Sequence, residues 1–135
     1  MPVLDTDILI SFLRNKSPAV QYITELTKKK KTLKTTIFNV AELYTGVYLS
    51  SNIAREIRIL EAFLKTLEVL GFENDSSIVY GQVSADLLKR GNPIGVMDEL
   101  IASIVIHNNE TLITANIKHF QEIPLLRYQN WKLKK

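Results

Sequence analysis

The sequence predicts an α/β fold, with a mostly parallel central sheet of four to five strands flanked by helices. Three observations carry that expectation. Short apolar, β-branched runs alternate with segments of helical periodicity along the 135 residues. Each run ends at a polar or acidic residue, as a buried strand does when it delivers a side chain to the sheet edge where α/β proteins bind ligands. No internal repeat, linker or low-complexity segment interrupts the pattern, so residues 1–135 are expected to form a single domain.

The first strand is the apolar approach Val3-Leu4, which delivers Asp5 at its C-terminal end. Asp7 is then expected to N-cap a short helix carrying Ile8 to Leu13. Ser17-Pro18 opens a second helix with Val20, Ile23 and Leu26 at helical spacing, and Lys28 to Lys31 close it as a solvated cationic end. Leu33 to Phe38 is the second strand. Asn39 follows and begins a helix with Glu42 in its first turn. Asn52 caps the next helix, whose apolar stripe runs Ile53, Ile57, Leu60, Leu64, Leu67.

Glu68 to Phe72 is the third strand, and Asp75-Ser76-Ser77 starts a helix that stops at Gly91. The loop Gly91 to Gly95 leads into Met97-Asp98-Glu99 and an almost wholly apolar helix, expected to be central and buried. Thr111 to Thr114 is the fourth strand, ending at the polar residues Asn116 to His119. Leu125, Leu126 and Tyr128 add a last short strand, and Trp131 anchors the tail before a loose Lys132 to Lys135.

Composition removes several function classes. With no cysteine, there are no disulfides, thiolate nucleophiles or Cys-based metal sites. The net charge of +3 permits a nucleic-acid partner without requiring one. No apolar run is long enough to span a bilayer and no signal peptide is visible, so a cytoplasmic protein without membrane contact is expected.

Asp5, Glu42 and Asp98 share one feature: each sits just after an expected strand or in the first turn of a helix. Each also has a structural alternative. Asp5 and Asp7 can make a turn, Asn39 and Glu42 match a capping box, and Asp98 can complement a helix dipole. The functional alternative gives all three a common cause. Clustered carboxylates repel one another unless a cation joins them, and Mg²⁺ is held by one or two carboxylates plus water and phosphate oxygens.

The order LDTDIL, NVAEL, a glycine-containing loop with MDELIA, then LITANIKHF resembles the PIN-domain family over essentially the full length. Within it the chain is most similar to the VapC-type toxins of VapBC toxin–antitoxin pairs. The resemblance implies a Rossmann-like α/β/α fold and a Mg²⁺- or Mn²⁺-dependent endoribonuclease with RNA as substrate. It further implies 5′-phosphate and 3′-hydroxyl products, a VapB-like antitoxin partner and a homodimer. Asp5 and Asp98 would be the principal metal ligands and Glu42 the third acid, binding directly or through water. Thr6 and Asp7 fall where the family lines its site, and Thr114 and Asn116 fall in its last strand-end motif. There the chain departs from the family, with His119 before Phe120 in place of the last acid. That histidine is open to two readings, as a contact to substrate or metal or as a surface residue.

Two rival functions follow from particular residues. Asp5-Thr6-Asp7 mimics the nucleophile and acid/base pair of a haloacid-dehalogenase-like phosphatase. The missing last acid suits a non-catalytic RNA-binding module that keeps the PIN fold.

Overall fold

The computed structural model describes residues 1–132, and within them five strands alternate with seven helices. In chain order these are β1 (Pro2–Leu4), α1 (Thr6–Leu13), α2 (Ser17–Lys28), β2 (Lys34–Thr36), α3 (Ile37–Tyr48), α4 (Ile53–Leu64) and β3 (Glu68–Leu70). They continue as α5 (Asn74–Lys89), α6 (Val96–His107), β4 (Thr111–Ile113), α7 (Ile117–Phe120) and β5 (Arg127–Gln129). The sheet order is β3-β2-β1-β4-β5 and every pairing is parallel. The strand order therefore reverses between β1 and β4, and the crevice beyond their carboxyl ends is where such a sheet takes a ligand.

Alternation along the central strands divides the core into two layers. Val3 and Leu112 face one side, against Val83 and Leu87 of α5 and Ile101, Ile104 and Val105 of α6. Leu4 and Ile113 face the other, against Ile8 and Leu9 of α1, Ile23 of α2, Leu43 and Val47 of α3 and Leu60 of α4. Strands buried on both faces read as continuous apolar runs, which is why β1 and β4 carry so little polar pattern. The helix α6 is central and buried, as its composition leads one to expect.

Several boundaries differ from the sequence reading. Asp5, not Asp7, is the N-cap of α1, with its side chain accepting from Thr6 N. Strand β2 ends at Thr36, because Thr36 and Asn39 form a capping box that turns Ile37 and Phe38 into the first turn of α3. Glu42 therefore lies beyond the first turn and caps nothing, so the proposed Asn39–Glu42 box is absent. The helix α5 starts at Asn74 from a Glu73 cap, and α7 follows Asn116 where polar residues alone were expected. Trp131 is buried, as expected of an anchor. The expected loose tail lies, past Lys132, outside the described residues.

Candidate active site

Four segments meet at the carboxyl edge of β1 and β4. Strand β1 delivers Asp5, and its N–H continues the sheet by donating to Ile113 O at 3.0 Å. Helix α3 brings Asn39 and Glu42, the start of α6 brings Asp98, and the end of β4 brings Thr114 and Asn116. Asp98 comes off a loop bounded by Gly91 at φ +68 and Gly95 at φ +108, the latter being the N-cap of α6. A side chain at either position would strain the backbone that sets this helix start.

Asp5 is the buried hub. Its Oδ1 accepts from Thr6 N at 2.9 Å and from Asn39 Nδ2 at 2.8 Å, and its Oδ2 accepts from Thr114 Oγ1 at 2.7 Å. Burial, with the Asp7 charge second, raises its carboxyl from 3.8 to about 6 against those three hydrogen bonds. Asn39 is wholly buried and its other amide hydrogen goes to Thr6 Oγ1 at 2.9 Å. That hydroxyl in turn donates to Glu42 Oε1 at 2.6 Å. On the other side, Thr114 Oγ1 accepts from Asn116 N at 3.0 Å, and Asn116 Nδ2 reaches Asp98 Oδ2 at 3.2 Å. His119 Nδ1 stands 2.8 Å from the same oxygen. One hydrogen-bond network thus joins Glu42, Thr6, Asn39, Asp5, Thr114, Asn116, Asp98 and His119.

The structure brings all seven sequence-derived residues to this edge, in different roles. Asp7 is a clamp: Oδ2 accepts from Ala115 N at 2.8 Å and Oδ1 from Trp131 Nε1 at 3.1 Å. Both its oxygens are held, which removes the free acid/base that the phosphatase reading needs. The adjacent Glu99 also serves the backbone, accepting from Ile94 N in a buried position. Asn39 and Trp131 were not singled out as site residues, since an asparagine after a strand reads as a cap and a late tryptophan as an anchor. The capping half of Asn39's role is real, and its second half appears only when α3 docks on β1.

Among the described residues, no lysine or arginine forms an ion pair with Asp5, Asp7, Glu42 or Asp98. The basic residues that sequence could not place now have positions. Lys34 and Arg127 stand at the amino end of the sheet, and Arg90 pairs with Asp86 and Glu122. Arg55 alone lies near the edge, with Arg14 on a groove of about 380 Å³ that ends at Glu42. The donor set is oxygen-rich and acidic, the chemistry that hard divalent cations take. Among the described residues, no three Asp, Glu, His or Cys side chains are gathered closely enough to hold an ion by themselves. That arrangement suits a cation bound by one or two carboxylates, with water and substrate oxygens completing its shell.

A family model described as PIN domain matches residues 3–125. A ribonuclease VapC2 of Rickettsia felis is 38% identical over 130 residues, covering 96% of each chain. The tRNA(fMet)-specific endonuclease VapC of Salmonella typhimurium is 28% identical over 129 residues, again covering 96% of each. A crystal structure of VapBC2 from Rickettsia felis, bound to a DNA fragment from their promoter, superposes with a TM-score of 0.89 at 33% identity, covering 96% of this chain and 98% of that one.

Proposed function

The chain belongs to the PIN-domain family, and from that premise we propose that it is the ribonuclease toxin of a toxin–antitoxin pair, hydrolysing RNA phosphodiester bonds at the β1–β4 switch point. The single observation that carries the site assignment is the shared network: Asp5, Glu42 and Asp98 on one edge, fixed by neutral donors and paired with no lysine or arginine among the described residues. A purely RNA-binding surface would gain by losing those charges, because each repels phosphate.

A divalent cation fits this donor set. Asp5 and Asp98 would hold it, with Glu42 reaching it directly or through water, and Mg²⁺ or Mn²⁺ is the ion of choice. When bound, it supplies an activated water and neutralises the charge that develops on the scissile phosphate. The chain's part is orientation. Asn39 and Thr114 fix the two oxygens of Asp5 from opposite sides, and the Thr6 hydroxyl holds Glu42 toward the same edge. Asp7 ties α1 to the end of β4 and to Trp131, so the edge keeps its shape as substrate enters. Preorganisation of this kind is where such a site draws its rate.

The partners follow the same reading: RNA as substrate, a VapB-like antitoxin as neutralising protein, and a second copy of the chain as homodimer. Among the described residues no helix is long and apolar enough to cross a membrane, and we place the protein in the cytoplasm. The test is cleavage of RNA, including a tRNA(fMet) transcript, by antitoxin-free protein in Mg²⁺, Mn²⁺ or EDTA. Cation-dependent cleavage that disappears in folded Asp5→Asn and Asp98→Asn variants is expected. Cleavage that survives both substitutions contradicts the site assignment.

A further inference from the structure

The corner of the site around His119 contains a geometry that hydrogen bonding within the chain does not explain. Three side-chain atoms form a nearly equilateral triangle. Asp98 Oδ2 lies 2.8 Å from His119 Nδ1 and 3.2 Å from Asn116 Nδ2, and the two nitrogens are 3.1 Å apart. All three edges cannot be hydrogen bonds at once. If Nδ1 accepts from the amide, its lone pair is spent there and no proton joins it to the carboxylate 2.8 Å away. If Nδ1 carries a proton and gives it to Asp98, amide and imidazole meet N–H to N–H.

Turning the Asn116 carboxamide over puts Oδ1 at the third corner, and the triangle becomes two oxygens and a nitrogen, each with a lone pair. Donors about 2.1 Å from an octahedral cation lie about 3.0 Å from their neighbours on one face. The observed edges of 2.8, 3.1 and 3.2 Å match that spacing. The His119 side chain is 44% exposed, so the corner is open to an entering ion.

We propose that Asp98 Oδ2, Asn116 Oδ1 and His119 Nδ1 form one face of the cation's coordination shell, and that the imidazole makes the site favour transition-metal ions over Mg²⁺. This rests on the reading above that the edge takes a divalent cation. Its physical basis is ligand type: carboxylate, carbonyl and water suit Mg²⁺, whereas imidazole suits the later first-row metals, whose affinities rise from Mn²⁺ to Co²⁺ and beyond.

The test is direct binding of Mg²⁺, Mn²⁺ and Co²⁺ by calorimetry, with the Co²⁺ absorption spectrum as a report on nitrogen ligation. Wild-type protein is compared with His119→Gln and His119→Asp, each checked by circular dichroism. Co²⁺ affinity in His119→Gln is expected to fall by about 10–100-fold, with an altered spectrum and a far smaller change for Mg²⁺. His119→Asp is expected to strengthen Mg²⁺ while leaving Co²⁺ weak. Unchanged Co²⁺ affinity and spectrum in His119→Gln overturns the proposal. Equal losses for both metals overturn it too, since the histidine would then only position Asp98. If wild type binds no cation at all, the cation reading falls as well. If it binds cation and cleaves RNA while His119→Gln behaves as wild type, only the coordination proposal falls.

Discussion

At the amino end of the sheet Glu110 is 7% exposed and bonded to two cations, Lys34 Nζ and the N-terminal ammonium. At the carboxyl end Asp5 is as deeply buried, at 6%, and is bonded to none, only to Thr6 N–H, the Asn39 amide and the Thr114 hydroxyl. The consequences run in opposite directions. Burial alone would raise Glu110, yet its bonds to Lys34 and the ammonium overcome this and hold it below the usual carboxylate range. Burial raises Asp5 to about 6 and nothing in the chain reverses it. The amino end is a finished ion-pair network that serves folding. The carboxyl end is an uncompensated charge that costs stability until a cation arrives, and this asymmetry is what marks it as functional.

The largest expected difference between the ends is in catalysis. Asp5→Asn or Asp98→Asn should each lower RNA cleavage by about a hundredfold or more, the size expected for losing a charge-placing group. Glu110→Gln should leave the rate nearly unchanged at temperatures where it is folded. Single-turnover cleavage assays check both.

Stability should reverse that order. Urea unfolding at pH 7.5 is expected to show Glu110→Gln less stable by about 1–3 kcal/mol, because Lys34 keeps its charge and loses its buried partner. Asp5→Asn should be more stable by about 1–3 kcal/mol, since the ionised carboxylate is held against a pKa raised by roughly two units. A loss of stability in Asp5→Asn would dissolve the contrast.

The pH dependence sharpens it further. With its folded pKa raised from 3.8 to about 6, Asp5 contributes stability that is fully present below about pH 4 and is lost as pH rises through 6. Glu110, with a lowered pKa, contributes stability that is present above its ordinary 4.5 and is lost as pH falls through the lowered value. The advantage of Asp5→Asn over wild type should therefore grow from pH 4 to pH 7. The deficit of Glu110→Gln should shrink on acidification. The smallest effect is expected at Trp131→Phe, which keeps the buried ring and removes only the Nε1–H bond to Asp7, at about 1 kcal/mol.

Much of this edge was legible in the chain itself. Apolar runs ending in polar residues put Asp5 and Thr114 at strand ends, and helix-start chemistry put Asp98 in a first turn. The β2–α3 boundary was not legible, because Ile37 and Phe38 suit a strand and only the Thr36–Asn39 box turns them into helix. Nor was the division of labour between Asp5 and Asp7. Both can cap a helix, and the choice depends on Ala115 N and Trp131 Nε1, which lie 108 and 124 residues away. Asn39 shows the same limit. Its local bond to Thr36 spans three residues and follows a known pattern, whereas its bond to Asp5 spans 34 and exists only in the folded sheet.

The contrast between the two ends is tested most directly by cation-linked unfolding. Wild type, Glu110→Gln, Asp5→Asn and Asp98→Asn are unfolded in urea with and without saturating Mn²⁺. An ion at 100 times its dissociation constant stabilises the folded state by about 2.7 kcal/mol. A gain of that size in wild type and Glu110→Gln, absent from Asp5→Asn and Asp98→Asn, is the expected result. An equal gain in all four proteins, or in none, would contradict the assignment of the uncompensated carboxylates as the cation site.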